Sequence, residues 1–420
     1  MGAPGGGRRR LLVDVTPLRA SRDYRLLFTG QLISFMGRQV TVVAIPVQVY
    51  DLTHSSFAVG MTGLVALGPL VVLSLLGGAI ADAMDRRRLL LVANVLLAAT
   101  SAGLALNASR GDHAALWPIY VLTALAAGFS GVELPTRSAA TPALVGLELL
   151  PAAAALGQIL VQVGQVVGPA LAGPLIDGVG MASAYWFDTA TFGAAVVATL
   201  LIRPLPPEGG GTRASVSSIK EGLAYLRGRR VLQSTFVVDI NAMVFGMPRA
   251  LFPALAEKVF GGGAGTVGLL YAAPGAGAFV AALASGWVGG VRRQGRAVLL
   301  AVAAWGVAIA LFGLTSSLVL ALALLAVAGA ADVVSAVFRN TILQVTVPDN
   351  LRGRLSSVHI AVVTGGPRLG DAEAGAVAAI STPRISVVSG GLACVLGVLA
   401  VHRWAPQFDA YDAREALDST

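Results

Sequence analysis

The segment Gly78-Ala-Ile-Ala-Asp-Ala-Met-Asp-Arg-Arg-Arg-Leu-Leu90 places three consecutive arginines directly after a long apolar run. Arg86, Arg87 and Arg88 mark the end of that run, because an arginine inside the hydrocarbon of a bilayer is costly. Asp82 lies four residues before Arg86, so that the two can face each other across one helical turn. The segment therefore indicates a charged turn between two helices of a membrane protein.

The composition on either side of this turn is that of a polytopic membrane protein. Of 420 residues, 55% are hydrophobic and 12% are charged, whereas a soluble protein carries roughly a quarter charged residues. Glycine is abundant, at 51 residues, and small residues let membrane helices approach closely. The single cysteine, Cys394, permits no internal disulfide. This composition excludes a soluble nucleic-acid-binding protein, a disordered chain and a small disulfide scaffold.

Apolar runs of about 20 residues each predict membrane-spanning helices, and twelve such runs are found. They lie near residues 26–50, 57–81, 88–107, 114–136, 151–177, 183–203, 231–256, 265–289, 297–315, 317–338, 355–380 and 384–403. We therefore predict an all-α polytopic membrane fold with twelve transmembrane helices.

The distribution of basic residues predicts the orientation of these helices. With both termini placed inside, 24 of the 30 Lys and Arg fall in cytoplasmic segments, 3 in outer turns and 3 within spans. This bias follows the positive-inside rule. It assigns Arg137 and Arg339 to cytoplasmic loops. We interpret the net charge of +8 as topology and attraction to anionic lipid, without nucleic-acid binding. The predicted location is the plasma membrane, with both termini cytoplasmic.

The chain divides into two halves that repeat. The predicted parts are an N-terminal tail without a signal sequence, a six-helix bundle, a linker, a second six-helix bundle and a C-terminal tail, at 1–25, 26–203, 204–230, 231–403 and 404–420. Gly78 and Gly286 are 208 residues apart, and Gly168-Pro169 and Gly366-Pro367 are 198 apart. Two parallel six-helix repeats are one of the plans used by secondary transporters.

The turn from Gly78 to Leu90 resembles the signature loop of the major facilitator superfamily, which reads G-x-x-x-D-x-x-G-R-[RK]-x-x-L. Gly78, Asp82, Arg86 and Arg87 match it, while Asp85 stands where the family has Gly. The resemblance implies a gating role in which this loop packs on the cytoplasmic end of the eleventh span. The alternative interpretation is that the arginines only anchor the topology.

A second motif lies in the fifth span. Gly164-x-x-x-Gly168-Pro169-x-x-Ala172-Gly173 resembles the antiporter signature of drug-efflux members of the superfamily. Small residues at a spacing of four permit close helix contact, and proline permits a bend. The resemblance favours export over import. The alternative is a closely packed helix without a specific role.

Further segments resemble the bacterial enterobactin-exporter group of the superfamily, in order and spacing from about residue 20 to 400. They are Ala44-Ile-Pro-Val-Gln-Val-Tyr50, Thr141-Pro-Ala-Leu-Val-Gly146, Leu270-Tyr-Ala-Ala-Pro-Gly-Ala-Gly-Ala278, Leu343-Gln344, Pro348-Asp-Asn-Leu-Arg352-Gly353-Arg354 and Gly370-Asp371-Ala-Glu373-Ala-Gly375. This resemblance implies export of a catecholate siderophore. Macrolide-efflux proteins are close relatives, so a multidrug or macrolide efflux antiporter is the alternative function.

Polar residues inside the spans are the candidates for binding substrate, since such residues are costly in lipid. Arg38, with Gln39 beside it, is predicted to bind an acidic or catechol-bearing substrate at the midplane. Its alternative role is a buried salt bridge to an acid such as Glu133 or Asp332. The other substrate candidates are Gln158 and Gln162 on one face of the fifth span, which line the cavity or bond a neighbouring helix, and Arg249 in the seventh.

Acidic residues inside the spans are the candidates for proton coupling. They are Glu133, Asp332, Asp371 and Glu373. Arg368 can pair with Asp371, three residues on, along one helix face. Asp188 is expected to reach water from the outer end of the sixth span. A proton moving down the membrane potential yields about 2.3 kcal/mol per 100 mV, which can drive export without ATP.

The sequence predicts a transporter and no enzyme. It contains no GxxxxGK[ST] phosphate loop, no HExxH and no nucleophile elbow, and its four histidines are scattered. No catalytic residue, metal site or cofactor is therefore predicted. The expected partners are a small-molecule substrate, protons and the lipid bilayer.

Overall fold

A computed structural model of the chain describes residues 14–206 and 216–413. Its first group of helices is α1 (Thr16–Ala20), α2 (Arg22–Thr53), α3 (Ser56–Ala83), α4 (Arg86–Ala108), α5 (Leu116–Val145), α6 (Leu150–Val179) and α7 (Met181–Leu200). The second group is α8 (Val216–Leu226), α9 (Arg230–Phe245), α10 (Phe252–Lys258), α11 (Ala264–Leu283), α12 (Gln294–Leu314), α13 (Leu318–Thr346), α14 (Asp349–Ile380), α15 (Pro383–Trp404) and α16 (Pro406–Asp409).

The all-α fold with twelve long segments is confirmed. The first six predicted spans are α2 to α7, the seventh is α9 with α10, and the last five are α11 to α15. Within the described residues, ten of the twelve segments are long and apolar enough to cross a membrane. The other two are α7 and α14, which carry polar or charged side chains near their centres, such as Asp188 in α7 and Asp371 in α14.

Hydroxyl and carboxylate side chains start several of the helices. Ser21 accepts a hydrogen bond from the Tyr24 backbone N–H at the start of α2, and Asp85 accepts one from Arg88 at the start of α4. Each cap satisfies a backbone donor that has no partner within the helix. Only two residues separate α2 from α3 and α3 from α4.

The two groups of helices meet along two lines, α3 against α14 and α6 against α11. On the first line, Gly60 and Gly63 lie against the α14 backbone between Arg368 and Ala372. On the second, Gly173 lies against Gly265. A larger side chain at these glycines would collide with backbone, so their small size sets the close approach.

Both lines of contact lie towards the same face of the molecule. We call the face that carries the α2–α3 turn at His54 the distal face, and the opposite face, with Arg22 and Trp404, the terminal face. Gly60 lies near the start of α3 and Gly173 near the end of α6, and both of these helix ends reach the distal face. The halves are therefore closed against each other on the distal side.

The sequence predicts one continuous span over 231–256, but the structure shows a broken helix there. α9 ends at Phe245, a single 3₁₀ turn covers Arg249–Leu251, and α10 follows. Pro248 lacks a backbone N–H, and a proline here cannot continue the ladder of α9. The carbonyl of Gly246 instead accepts a hydrogen bond of 2.8 Å from the Trp305 indole. Arg249 thus lies at a break in the helix.

The assignment of Arg137 and Arg339 to cytoplasmic loops is wrong. α5 continues to Val145 and α13 to Thr346, beyond the predicted ends at 136 and 338. Both arginines lie within these helices, and each binds an acid inside the protein. An arginine that has such a partner need not mark the end of a helix.

Candidate substrate and proton site

A three-residue ion cluster joins α2 to α5 in the first half. Arg38 donates to one carboxylate oxygen of Glu133 at 3.1 Å, and Arg137 donates to the other at 3.2 Å. The Glu133 side chain is only 7% exposed. Both of its oxygens are satisfied, which a buried charge requires. The alternative role considered for Arg38, a salt bridge to Glu133, is thus present in this structure.

Arg38 nevertheless keeps part of its guanidinium available. Its side chain is 23% exposed, against 7% for Glu133. It lies over the Phe192 ring at 5.4 Å from the centroid, and its Nε atom has no hydrogen-bond partner. Through its exposed part, a planar guanidinium can bind an anionic ligand or lie over the aromatic ring of a ligand.

Asp188 is buried beside this cluster, and the expectation that it reaches water is wrong. It is 1% exposed, lies seven residues into α7, and interacts electrostatically with Arg38. Its Oδ2 accepts hydrogen bonds from Thr41 at 2.8 Å and Ser101 at 2.6 Å, whereas Oδ1 has no partner. Asp188 is buried because its face of α7 packs against α2 and α4, which supply Thr41 and Ser101.

A second ion cluster lies in the other half, between α9 and α13. Arg339 forms an ion pair with Asp239, and both side chains are almost completely buried. Arg339 also lies 3.9 Å from Asp332, whose side chain is 43% exposed. The sequence does not predict this ion pair, because Arg339 follows an apolar run and is interpreted as part of a loop.

The two clusters occupy equivalent places in the repeat, and the residues on the first helix of each half carry opposite charges. Arg38 and Asp239 are 201 residues apart, and Arg137 and Arg339 are 202 apart. The first helix of the first half therefore carries a cation, where the first helix of the second half carries an acid. The fourth helix of each half supplies the partner.

Asp371 lies where α14 meets the broken seventh span. It interacts electrostatically with Arg249 and Arg368 and lies near the Ala250 backbone N–H. Arg368 donates to the Thr364 carbonyl at 2.6 Å. Its interaction with Asp371 is electrostatic, without the direct ion pair that was expected. The break in the seventh span thus places the Ala250 backbone N–H and the Arg249 side chain near Asp371.

The side chains of Gln158, Gln162 and Glu373 form no hydrogen bond with any described residue. Gln158 on α6 is exposed, and Gln162, one turn on, is half-buried, as is Glu373 on α14. The structure therefore shows no bond from either glutamine to a neighbouring helix.

The glycines of the fifth-span motif, Gly164, Gly168 and Gly173, lie at close helix contacts. A side chain at Gly164 would strike the Phe35 ring, and one at Gly168 would strike Gln39. Gly173 abuts α11, and the Pro169 carbonyl faces Gly268 of the same helix. The motif therefore packs α6 against α2 on one side and against the second half on the other.

The charged turn between α3 and α4 is bound to its own half. Arg86 donates to the Ala139 carbonyl at 3.1 Å, and Arg87 donates to the Leu200 carbonyl at 2.6 Å. Asp85, besides capping α4, accepts from the Leu205 N–H at 2.8 Å. The surroundings of Gly78 and of the Asp82 side chain lie outside the described part of the structure.

Comparison with known proteins places the chain in a family. The model of the transmembrane secretion effector family matches residues 13–418. The enterobactin exporter EntS of Shigella boydii is 30% identical over 389 residues, which cover 92% of this chain and 93% of that protein. EntS of Escherichia coli shows the same identity and coverage.

Solved structures show the same fold at low sequence identity. The nucleoside transporter NupG has a TM-score of 0.76 at 12% identity, covering 93% of this chain and 100% of that chain. A D-xylose–proton symporter has a TM-score of 0.73 at 14% identity, covering 93% and 99%. The chain therefore belongs to the transmembrane secretion effector family of the major facilitator superfamily, as an enterobactin-exporter-like secondary transporter and not an enzyme.

Proposed function

We propose that this protein exports a siderophore of the enterobactin type from the cell and couples export to proton entry. The observation that carries the proposal is the similarity to enterobactin exporters, which extends over 92% of the chain. The exposed part of Arg38 adds chemical support. A catecholate offers anionic oxygens for the guanidinium and an aromatic ring over which a cation can lie.

We further propose that Arg38 couples substrate to protons. A substrate that binds Arg38 competes with Glu133 for the guanidinium. Weakening that ion pair disfavours the charged carboxylate and lets it take up a proton. Asp188 joins Glu133 as a proton-binding candidate, because it is a buried acid without a direct ion pair. Asp332, Asp371 and Glu373 remain candidates in the second half.

In the proposed orientation, the terminal face lies in the cytoplasm and the protein lies in the plasma membrane. The charge count along the sequence supports this orientation. The contacts at Gly60 and Gly173 then close the outer side, which corresponds to a state that receives substrate from the cytoplasm. Export requires alternation with a state in which these contacts separate.

A multidrug or macrolide efflux antiporter of the same fold is the second candidate function. The fifth-span motif favours it, since Gly164, Gly168 and Pro169 match the pattern of drug-efflux members. The two functions share a mechanism and differ in substrate. They are separated by the range of compounds that the protein exports.

The test is complementation under iron starvation. An Escherichia coli strain that lacks its enterobactin exporter would express this chain or its Arg38→Ala variant. Enterobactin in cells and in medium would be quantified by mass spectrometry. We expect the chain to restore secretion and the variant to fail at equal membrane abundance. If the chain restores no secretion but confers macrolide resistance, the second function is correct.

A further inference from the structure

A cavity of about 830 Å³ opens at the distal face, away from the two ion clusters. Its walls come from both halves of the protein. The α2–α3 turn supplies His54, Ser55 and Ser56, and the second half supplies the rest, including Lys258, Ser316 and Arg384. We call this cavity the distal pocket. Its size is that of a small-molecule site.

The charged side chains of the distal pocket are cationic. Lys258 and Arg384 carry permanent positive charge, and no acidic residue is among the described residues that line the pocket. The acids of this region line a separate cavity of about 290 Å³, which contains Asp51, Asp177 and Glu257. Positive and negative side chains are thus sorted into neighbouring cavities, although Asp51 does interact electrostatically with His54.

Arg384 is held in place but not fully bonded. Its Nη2 donates to the Ser316 hydroxyl at 2.5 Å and to the Thr315 carbonyl at 3.3 Å, whereas its Nε is buried without a partner. A buried guanidinium donor without an acceptor is costly. The Nη1 atom also forms no hydrogen bond with the described residues but is not buried, so a ligand oxygen in the pocket can accept from it. The unbonded nitrogens of Arg384 indicate a missing acceptor. This observation is independent of the positive charge of the pocket lining.

Helix dipoles do not decide the sign of this pocket. α3 and α15 begin at its wall, but α2 and α14 end there, so their partial charges of opposite sign offset one another. Ser55 and Thr382 already accept hydrogen bonds from the first turns of α3 and α15. The positive potential therefore comes from the side chains Lys258 and Arg384.

We propose that the distal pocket binds an oxyanion, which Arg384 and Lys258 of the second half hold opposite the α2–α3 turn of the first half. The bound group is a phosphate, carboxylate or catecholate. Because the pocket combines the α2–α3 turn with residues of the second half, the anion stabilises the arrangement in which the distal side is closed. Its source is a soluble anion or the phosphate of a phospholipid headgroup. This proposal does not depend on siderophore export.

The first test measures binding to the purified protein in phosphatidylcholine nanodiscs by isothermal titration calorimetry. The probes are inorganic phosphate and 2,3-dihydroxybenzoate. Lys258→Gln and Arg384→Gln should each raise the Kd for phosphate roughly tenfold or more, as expected when a charged hydrogen bond is lost. Lys258→Arg should retain binding. Arg110→Gln removes an exposed charge from the same face outside the pocket, and should change nothing.

The second test locates the anion by protection of a cysteine. The native Cys394 is fully buried, so Ser381→Cys supplies the one accessible thiol on the pocket wall. Phosphate should slow its reaction with a charged maleimide severalfold, and Lys258→Gln should abolish this protection. Protection without added phosphate, only in nanodiscs with phosphatidylglycerol, would identify a lipid headgroup as the occupant.

The proposal is overturned if phosphate binds the Lys258→Gln and Arg384→Gln variants as tightly as the native protein, or if no anion protects Ser381→Cys in either lipid. Arg38→Ala separates this site from the substrate site. Phosphate should bind that variant normally, even where transport is lost. Loss of phosphate binding in Arg38→Ala would place the anion at the ion cluster and contradict the distal site.

Discussion

At the scale of single residues, Arg38 and Arg339 hold their acids in different surroundings. The Arg38 side chain is 23% exposed and shares Glu133 with Arg137. The Arg339 side chain is 5% exposed, and Arg339 is the cation bound to the buried Asp239. We therefore assign substrate exchange to Arg38 and a mainly structural role to Arg339.

Arg38→Ala should reduce export roughly tenfold or more, because a charged hydrogen bond to substrate is lost. The protein should still insert and fold, since Glu133 keeps the bond to Arg137. Export and membrane abundance are measured together in cells. Arg110→Ala, at an exposed turn, is the control that should export normally. Normal export by Arg38→Ala would refute the role assigned to Arg38.

Arg339→Ala should destabilise the protein much more than Arg38→Ala. Removing one partner of a buried ion pair costs about 3–5 kcal/mol, because the other charge is left uncompensated. Asp239 would be that charge. Thermal unfolding in detergent, followed by reaction of the buried Cys394 with a fluorogenic maleimide, measures the difference. Equal unfolding temperatures for the two variants would contradict the assignment.

Asp188→Asn should leave the fold intact and remove the response of transport to a pH gradient. The amide oxygen still accepts from Thr41 and Ser101, but the group no longer binds a proton. Counterflow exchange without a gradient should persist. Asp112→Asn, an exposed acid on the distal face, is the matched control. Gradient-driven transport by Asp188→Asn would exclude Asp188 as a proton carrier.

The sequence identifies some of these residues and not others, for a physical reason. Arg38 and Glu133 stand out because they are charges within apolar runs. Arg137 and Arg339 follow the ends of such runs, where an arginine is equally compatible with a loop. Only their partners, Glu133 and Asp239, reveal that they are inside the protein. Pairing between distant helices cannot be read from local hydropathy.

At the scale of helices, glycines determine how the two halves meet. Gly173 of α6 abuts Gly265 of α11, and Gly60 of α3 abuts α14 at Asp371. These contacts join helices of different halves and must separate when the distal side opens. The spacing of glycines in α6 predicts close packing from the sequence. Which helix lies opposite is set by the fold as a whole.

Gly173→Val should impair transport, because its side chain would strike the α11 backbone at Gly265. Overpacking of this kind costs about 1–3 kcal/mol and should weaken closure of the distal side. Gly157→Ala, on the same helix with no atom within 4 Å of an added Cβ, should transport normally. Transport assays on both variants, with faster maleimide labelling of a distal cysteine expected in Gly173→Val, check this. Equal behaviour of the two variants would contradict it.

The break in the seventh span could not be predicted from hydropathy alone. The run from 231 to 256 is mostly apolar, and Pro248 alone does not distinguish a kink from an interruption. The interruption coincides with two contacts: the Trp305 indole satisfies the Gly246 carbonyl, and Asp371 interacts electrostatically with Arg249. Both partners come from helices far along the chain.

At the scale of the whole molecule, a duplicated six-helix unit carries one ion cluster in each half, and the first-helix residues of the two clusters have opposite charges. Arg38 and Asp239 occupy equivalent first helices. The repeat explains why the twelve spans were predictable, since each half follows the same pattern of apolar runs. The conformation was not predictable. Closure on the distal side results from many weak contacts between halves, and no single motif encodes it.

The central claim is that an inward proton flow drives export of a catecholate siderophore through Arg38. Its most direct test uses inverted membrane vesicles that contain this protein, with the lumen acidified. We predict accumulation of iron-free enterobactin in the lumen, abolished by a protonophore and absent with Arg38→Ala. Accumulation that persists with the protonophore would contradict proton coupling. No accumulation of enterobactin, in vesicles that accumulate a macrolide under the same gradient, would contradict the substrate.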